Sequence, residues 1–138
     1  MAAYAKPLPM PDIDSQQFWD GCRARELRAQ RCQSCGKFRW PPQAFCPHCY
    51  SWEFEWAKLG GTGTVCSFVV VHYVSVPAFQ DDVPYIVGHI TIDGSDNRVT
   101  LISNVIECPW EDVRVGMPVR VVFEDVTPEV TLPKFRPL

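Results

Sequence analysis

The sequence predicts a mainly β protein: a short N-terminal helix, a four-cysteine zinc ribbon and a C-terminal five-stranded barrel of the OB-fold type. Three observations point there. Two Cys-x-x-Cys pairs, Cys32/Cys35 and Cys46/Cys49, face each other across ten intervening residues. Glycines crowd positions 60, 61 and 63 and mark a boundary. Beyond them the chain reads as short β-branched and aromatic runs with turn residues between. Five short strands without a long intervening helix suit a small closed barrel, and the OB-fold is the five-stranded member of that class.

The elements follow in order. Pro7, Pro9 and Pro11 make residues 1–13 an extended arm without a core of its own. Asp14 fits an N-cap, with Gln17 three residues later as in a capping box, so a short helix is expected over residues 15–25. Phe18 and Cys22 share one face of it, Trp19 lies beside them, and Gly21 weakens it. Leu27 and Ala29 alternate with polar residues, a strand signal leading into Cys32. The barrel strands are expected at 64–74, 85–92, 99–106, 119–124 and 134–136. In the first, Val65, Val69, Val71 and Tyr73 would line one face and Cys66, Phe68 and Val70 the other. Turn residues 93–97 make a hairpin of the second and third, and residues 109–113 fit one helical turn. The units are therefore an arm and helical segment at 1–30, the zinc ribbon at 31–58 and the barrel at 59–138.

Composition bounds the function. No apolar run approaches the ~18 residues of a membrane-spanning helix, and the first thirteen residues hold no apolar stretch of the kind a secretory signal needs. The expectation is a cytoplasmic protein. In a reducing compartment seven cysteines mean metal binding rather than a disulfide framework. Cys22, Cys66 and Cys108 then read as small buried hydrophobes. The net charge of −3 is uneven: residues 1–58 carry eight Lys/Arg against six Asp/Glu, residues 59–138 five against ten.

Each Cys-x-x-Cys turn aims two sulfurs at one point, and two facing turns supply the four thiolates that Zn²⁺ takes in closed structural sites. Gly36 allows the positive φ such a knuckle requires. A shell completed by Cys32, Cys35, Cys46 and Cys49 has no open position for water, so the zinc is structural, with iron as the rival metal and His48 facing solvent. No catalytic constellation is legible. His72 and His89 lie on neighbouring strands and read as strand histidines, and Asp81-Asp82 as a solvated turn. Ribbon plus barrel suggests nucleic-acid binding, but the barrel half is acidic and has no basic stripe for a phosphate backbone.

Phe18-Trp19, Arg31-Cys32-Gln33-Ser34-Cys35-Gly36, Trp40-Pro41-Pro42, Cys46-Pro47-His48-Cys49 and Gly61-Thr62-Gly63-Thr64-Val65 form a specific pattern, with Pro84-Tyr85 and Val115-Gly116 beyond. Over more than nine tenths of its length the chain resembles the zinc-ribbon/OB-fold family catalogued as domain of unknown function thirty-five. The resemblance implies two N-terminal helices, a rubredoxin-like ribbon and an OB-fold. The second helix has no counterpart here, since residues 27–31 read as strand. It further implies a non-catalytic accessory subunit. The partner would be a thiolase-fold enzyme acting on acyl-CoA thioesters, such as a steroid side-chain retro-aldolase, in a hetero-oligomer where this chain contacts the acyl-CoA. The residues suit this. Arg23, Arg25, Arg28, Arg31 and Arg39 could attract the CoA phosphates. Phe38, Trp40, Phe45 and Tyr50, with Trp52 and Trp56, either anchor a partner or pack on the barrel. The alternatives are a nucleic-acid-binding module and an independent acyl-CoA-binding or hydrolytic protein.

Overall fold

The computed structural model describes residues 4–138; the first three residues of the expected arm lie outside that range. The helix begins later than its expected cap. Asp12 and Ser15 close on each other: the Ser15 N–H and hydroxyl both donate to the Asp12 carboxylate at 2.8 Å, and the Asp12 N–H donates to Ser15 Oγ at 3.1 Å. This reciprocal pair takes the place expected of Asp14 and Gln17 and feeds α1, Gln16–Arg23. Arg25 ends the helix at φ 64°, where its N–H donates to the Cys22 carbonyl and the Glu26 N–H to the Gly21 carbonyl. Gly21 lets the next strand approach, because a Cβ there would lie 2.8 Å from Arg28 Cδ and 2.9 Å from the Glu26 carbonyl oxygen. Burial makes Cys22 an inert thiol, its pKa pushed up to about 12.

No second helix follows. The alternation of Leu27 and Ala29 forms β1, Leu27–Cys32, at the centre of a three-stranded antiparallel sheet. On one side lies the two-residue β2, Phe38–Arg39; on the other β3, Phe54–Leu59, pairs with β1 from Leu27–Leu59 to Cys32–Phe54. Only Gly60 and Gly61, the latter at φ 87°, separate β3 from the barrel.

The barrel closes in the order β4 (Thr62–Val71), β5 (Tyr85–Ile92), β6 (Thr100–Val105), β8 (Thr131–Pro137) and β7 (Pro118–Asp125). β7 returns to β4 through Thr62–Arg120, Gly63–Val119 and Thr64–Pro118, and β6 meets β8 in parallel at Val105–Phe135. Gly63 permits the close approach of β4 to β5, since a Cβ would stand 2.5 Å from the Thr91 carbonyl oxygen. The expected face alternation of β4 fails at one residue. A bulge between Val65 and Ser67 shifts the register, so Val65 is buried while Val69 is 59% exposed and Tyr73 lies outside the strand and exposed. Cys66 sits at the bulge and is exposed, not buried. Residues 110–112 make the expected turn as a 3₁₀ helix.

One core joins the two parts. Phe18, Cys22, Leu27, Ala29, Phe38 and Leu59 pack in the same buried cluster as Val65, Ile90, Val119 and Phe135. Two polar ties reinforce it. Arg25 donates both terminal nitrogens to Asp125 on β7 at 2.8 and 2.5 Å. Arg98, at the β5–β6 turn, approaches His48 Nε2 at 3.0 Å. Among the described residues no helix is long and apolar enough to cross a membrane.

Candidate metal centre and its surroundings

β1 delivers Cys32 at its last residue, the turn before β2 delivers Cys35, and the loop between β2 and β3 delivers Cys46 and Cys49. The four sulfurs all lie within 4.8 Å of one another, with Cys32–Cys49 at 3.5 Å and Cys35–Cys46 at 3.6 Å. Thiolates about 2.3 Å from one tetrahedral ion stand about 3.8 Å apart, so the four sulfurs are gathered on the scale of a single zinc site.

The two knuckles share one backbone design. Gly36 N–H donates to the Cys32 carbonyl at 3.0 Å and Tyr50 N–H to the Cys46 carbonyl at 2.9 Å. Backbone N–H groups also reach the sulfurs: Cys35 to Cys32 Sγ and His48 to Cys46 Sγ, both at 3.4 Å. The Cys35 N–H, then the amide of Ser34, hold the Cys32 thiol below its ordinary value, while Cys49 in the same cluster is shifted upward. Gly36 takes φ 75°, and Tyr50, at the matching place in the second knuckle, takes φ 64°. Tyr50 thus adopts a left-handed conformation that its residue type gives no hint of.

His48 is exposed as expected, beside Arg98 rather than the metal; partial desolvation and then the Arg98 charge hold its pKa below the ordinary value. The aromatic residues divide. Phe38 is buried in the core, and Trp40 packs edge-on to Phe18 with centroids 4.9 Å apart. Phe45, 40% exposed, pairs with Trp52, 69% exposed, at 5.5 Å, and Tyr50 projects beside the second knuckle at 72% exposure. An exposed ridge therefore consists of Phe45, Tyr50 and Trp52.

The expected basic surface is largely engaged. Arg39 is buried: its Nε donates to Gln30 Oε1, its Nη2 to the Gln43 carbonyl, and its guanidinium stacks 4.5 Å from the Phe54 ring. Arg25 is held by Asp125, Arg28 by Glu26, and Arg31 donates to the Gly36 carbonyl. His72 and His89 do not form a pair. His72 meets Trp110 edge-on at 5.1 Å, whereas exposed His89 stands opposite Ser67 and Ile102.

A four-cysteine ribbon on an OB-fold barrel defines a class of protein in which the metal builds structure. The chain belongs to the ChsH2 family: that family's rubredoxin-like zinc ribbon domain matches residues 19–55 and its C-terminal OB-fold domain residues 56–124. The zinc is accordingly structural. The chain is 33% identical, over 96% of its length, to a probable enoyl-CoA hydratase alpha subunit of Thermomonospora curvata. It is 32% identical, over 85%, to the 3-oxo-4,17-pregnadiene-20-carboxyl-CoA hydratase alpha subunit of Mycobacterium tuberculosis. It spans only 40% and 36% of those two proteins. A solved structure, the Ltp2-ChsH2(DUF35) aldolase, superposes with a TM-score of 0.83 at 33% identity, over 94% of this chain and 98% of that one.

Proposed function

We propose that this chain is a non-catalytic accessory subunit that binds and completes a partner enzyme acting on acyl-CoA thioesters. The partner has a thiolase fold, and the complex is a retro-aldolase that shortens a steroid-type side chain. The observation that carries this reading is the end-to-end likeness to one chain of an aldolase whose description names two components. Its own geometry supports the same role. The metal shell is complete with four sulfurs, and the exposed aromatic ridge is held on a knuckle that the metal stiffens. Such a subunit changes a rate by ordering its neighbour's site, since catalysis depends on groups held in productive geometry. Its share in any acyl-CoA channel is one of shape rather than charge, because four of the five arginines at positions 23–39 already serve the chain's own groups.

Co-expression with a thiolase-like partner tests this. A stable hetero-oligomer is expected, and Trp52→Ala and Phe45→Ala should each weaken it by about 2 kcal/mol, roughly thirtyfold in Kd. Separate elution of the two chains at micromolar concentration would contradict the reading.

A further inference from the structure

A cavity lies away from the cysteines, on the barrel. It encloses about 420 Å³, and its walls come from four distant stretches: the N-terminal arm, the β4–β5 connection with the start of β5, residues 104–110, and β8. A volume of that size falls in the range of small-molecule sites. This is also the quarter of an OB-fold, the second and third strands with the loop before them, where ligands of that fold class bind. We propose that the cavity is a binding site for a neutral, flat, apolar ring system carrying one hydrogen-bonding group. The proposal goes beyond the partner-subunit reading and stands without it.

The chemistry of the walls selects this class. Tyr4, Phe79, Tyr85 and Trp110 contribute rings. Phe79 and Tyr85 brace each other at 6.1 Å, and His72 backs Trp110. Ring faces fixed in this way favour a planar guest. Each charged group of the walls has a partner: Glu107 faces Arg136 at 4.0 Å, outside the cavity. Lys6 pairs with Asp82 at 2.6 Å and Lys134 with Glu124 at 3.1 Å, so neither ammonium is left to draw in an anion. Asn104 supplies a polar handle: its Nδ2 donates to the Ile86 carbonyl at 3.0 Å, and its Oδ1 has no partner among the described residues. The arm, which has no core of its own, finds its place here. Lys6 sits 5.5 Å over the Phe79 ring as well as against Asp82, which latches the arm as one wall of the cavity.

Titration of the full-length chain with Nile red, a neutral planar fused-ring dye with one carbonyl, tests the site. Saturable one-to-one binding with quenching of tryptophan emission is expected. 8-Anilinonaphthalene-1-sulfonate, which adds an anion to similar rings, should bind at least tenfold more weakly. Trp110→Ala, at a surface position outside the core, should weaken Nile red about three- to tenfold. Leu132→Glu, which places a charge in an apolar wall, should weaken it at least as much. Lys6→Ala and Asp82→Ala should each speed dye release, and the double variant no further, because both remove one latch. Absence of saturable Nile red binding overturns the proposal. So does equal affinity for the sulfonate, or affinity unchanged in both Trp110→Ala and Leu132→Glu.

Discussion

Tyr50 and Gly36 occupy equivalent places in the two knuckles at φ 64° and 75°, yet only the glycine announces the conformation in the sequence. A tyrosine in the left-handed region costs about 1 kcal/mol, and a side chain as exposed as this one recovers little of it by packing. Tyr50→Gly is therefore expected to leave the free energy of unfolding unchanged or raise it by up to about 1 kcal/mol, while Tyr50→Val lowers it through a β-branched strain. If Tyr50 is an anchor of the ridge, the glycine variant stabilises the free chain and loosens the complex, two effects that calorimetry and a binding titration separate. The Arg25–Asp125 pair makes a second case. Hydrogen bonds from Arg25 and then Thr131 hold the Asp125 carboxyl well below the usual carboxylate range. A depressed folded-state pKa stabilises above the unfolded value of ~3.9 and is lost as the pH falls below it. Asp125→Asn should thus lower the thermal midpoint at pH 7, and the gap from wild type should close below about pH 4. A gap that stays constant through that range contradicts the pairing.

The elements were legible where pattern and backbone agree. Residues 85–92 alternate cleanly and form β5 at those bounds. Leu27 and Ala29 foretold β1, against the second helix that the family resemblance implies. β4 was legible as a strand but not in its facing, because a bulge at Cys66 reverses the alternation and no residue type marks it. The helix start moved because a side chain that reaches three residues ahead, Asp12 to Ser15, closes the turn before Asp14 can cap. Long-range ties left no local signature at all: Arg98 meets His48 across fifty positions. In the sequence Gly63 only marks a boundary with Gly60 and Gly61, but it is needed for contact. A methyl there meets the Thr91 carbonyl oxygen at 2.5 Å and Ile90 Cγ2 at 2.9 Å. Gly63→Ala is expected to destabilise by about 1–3 kcal/mol by forcing β4 from β5 at the closure, which denaturant melts would show as a lowered midpoint at unchanged slope.

At the scale of the molecule, ribbon and barrel share one core, so the metal stabilises more than its own loop. Chelation of zinc, or Cys46→Ser with Cys49→Ser, should abolish amide-exchange protection over residues 31–52 and undock α1, with protection of β5 and β6 persisting. Folded, protected residues 31–52 in metal-free protein would contradict the structural role. The four cysteines were fully legible, because ligand spacing is a local signal. The exposed aromatic residues were only partly so. Nothing in the residue types tells that Phe38 turns inward while Trp52 stays out, since that is decided by how the sheet meets the barrel. What the chain does for another protein is read by measuring acyl-CoA turnover with the chain alone, the proposed thiolase-like partner alone, and the two together. No turnover by this chain and a large gain when both are present are expected, retained within a few-fold in His72→Ala and His89→Ala. Turnover by the isolated chain, or activity abolished by His72→Ala in a correctly assembled complex, would show that the chemistry resides here after all.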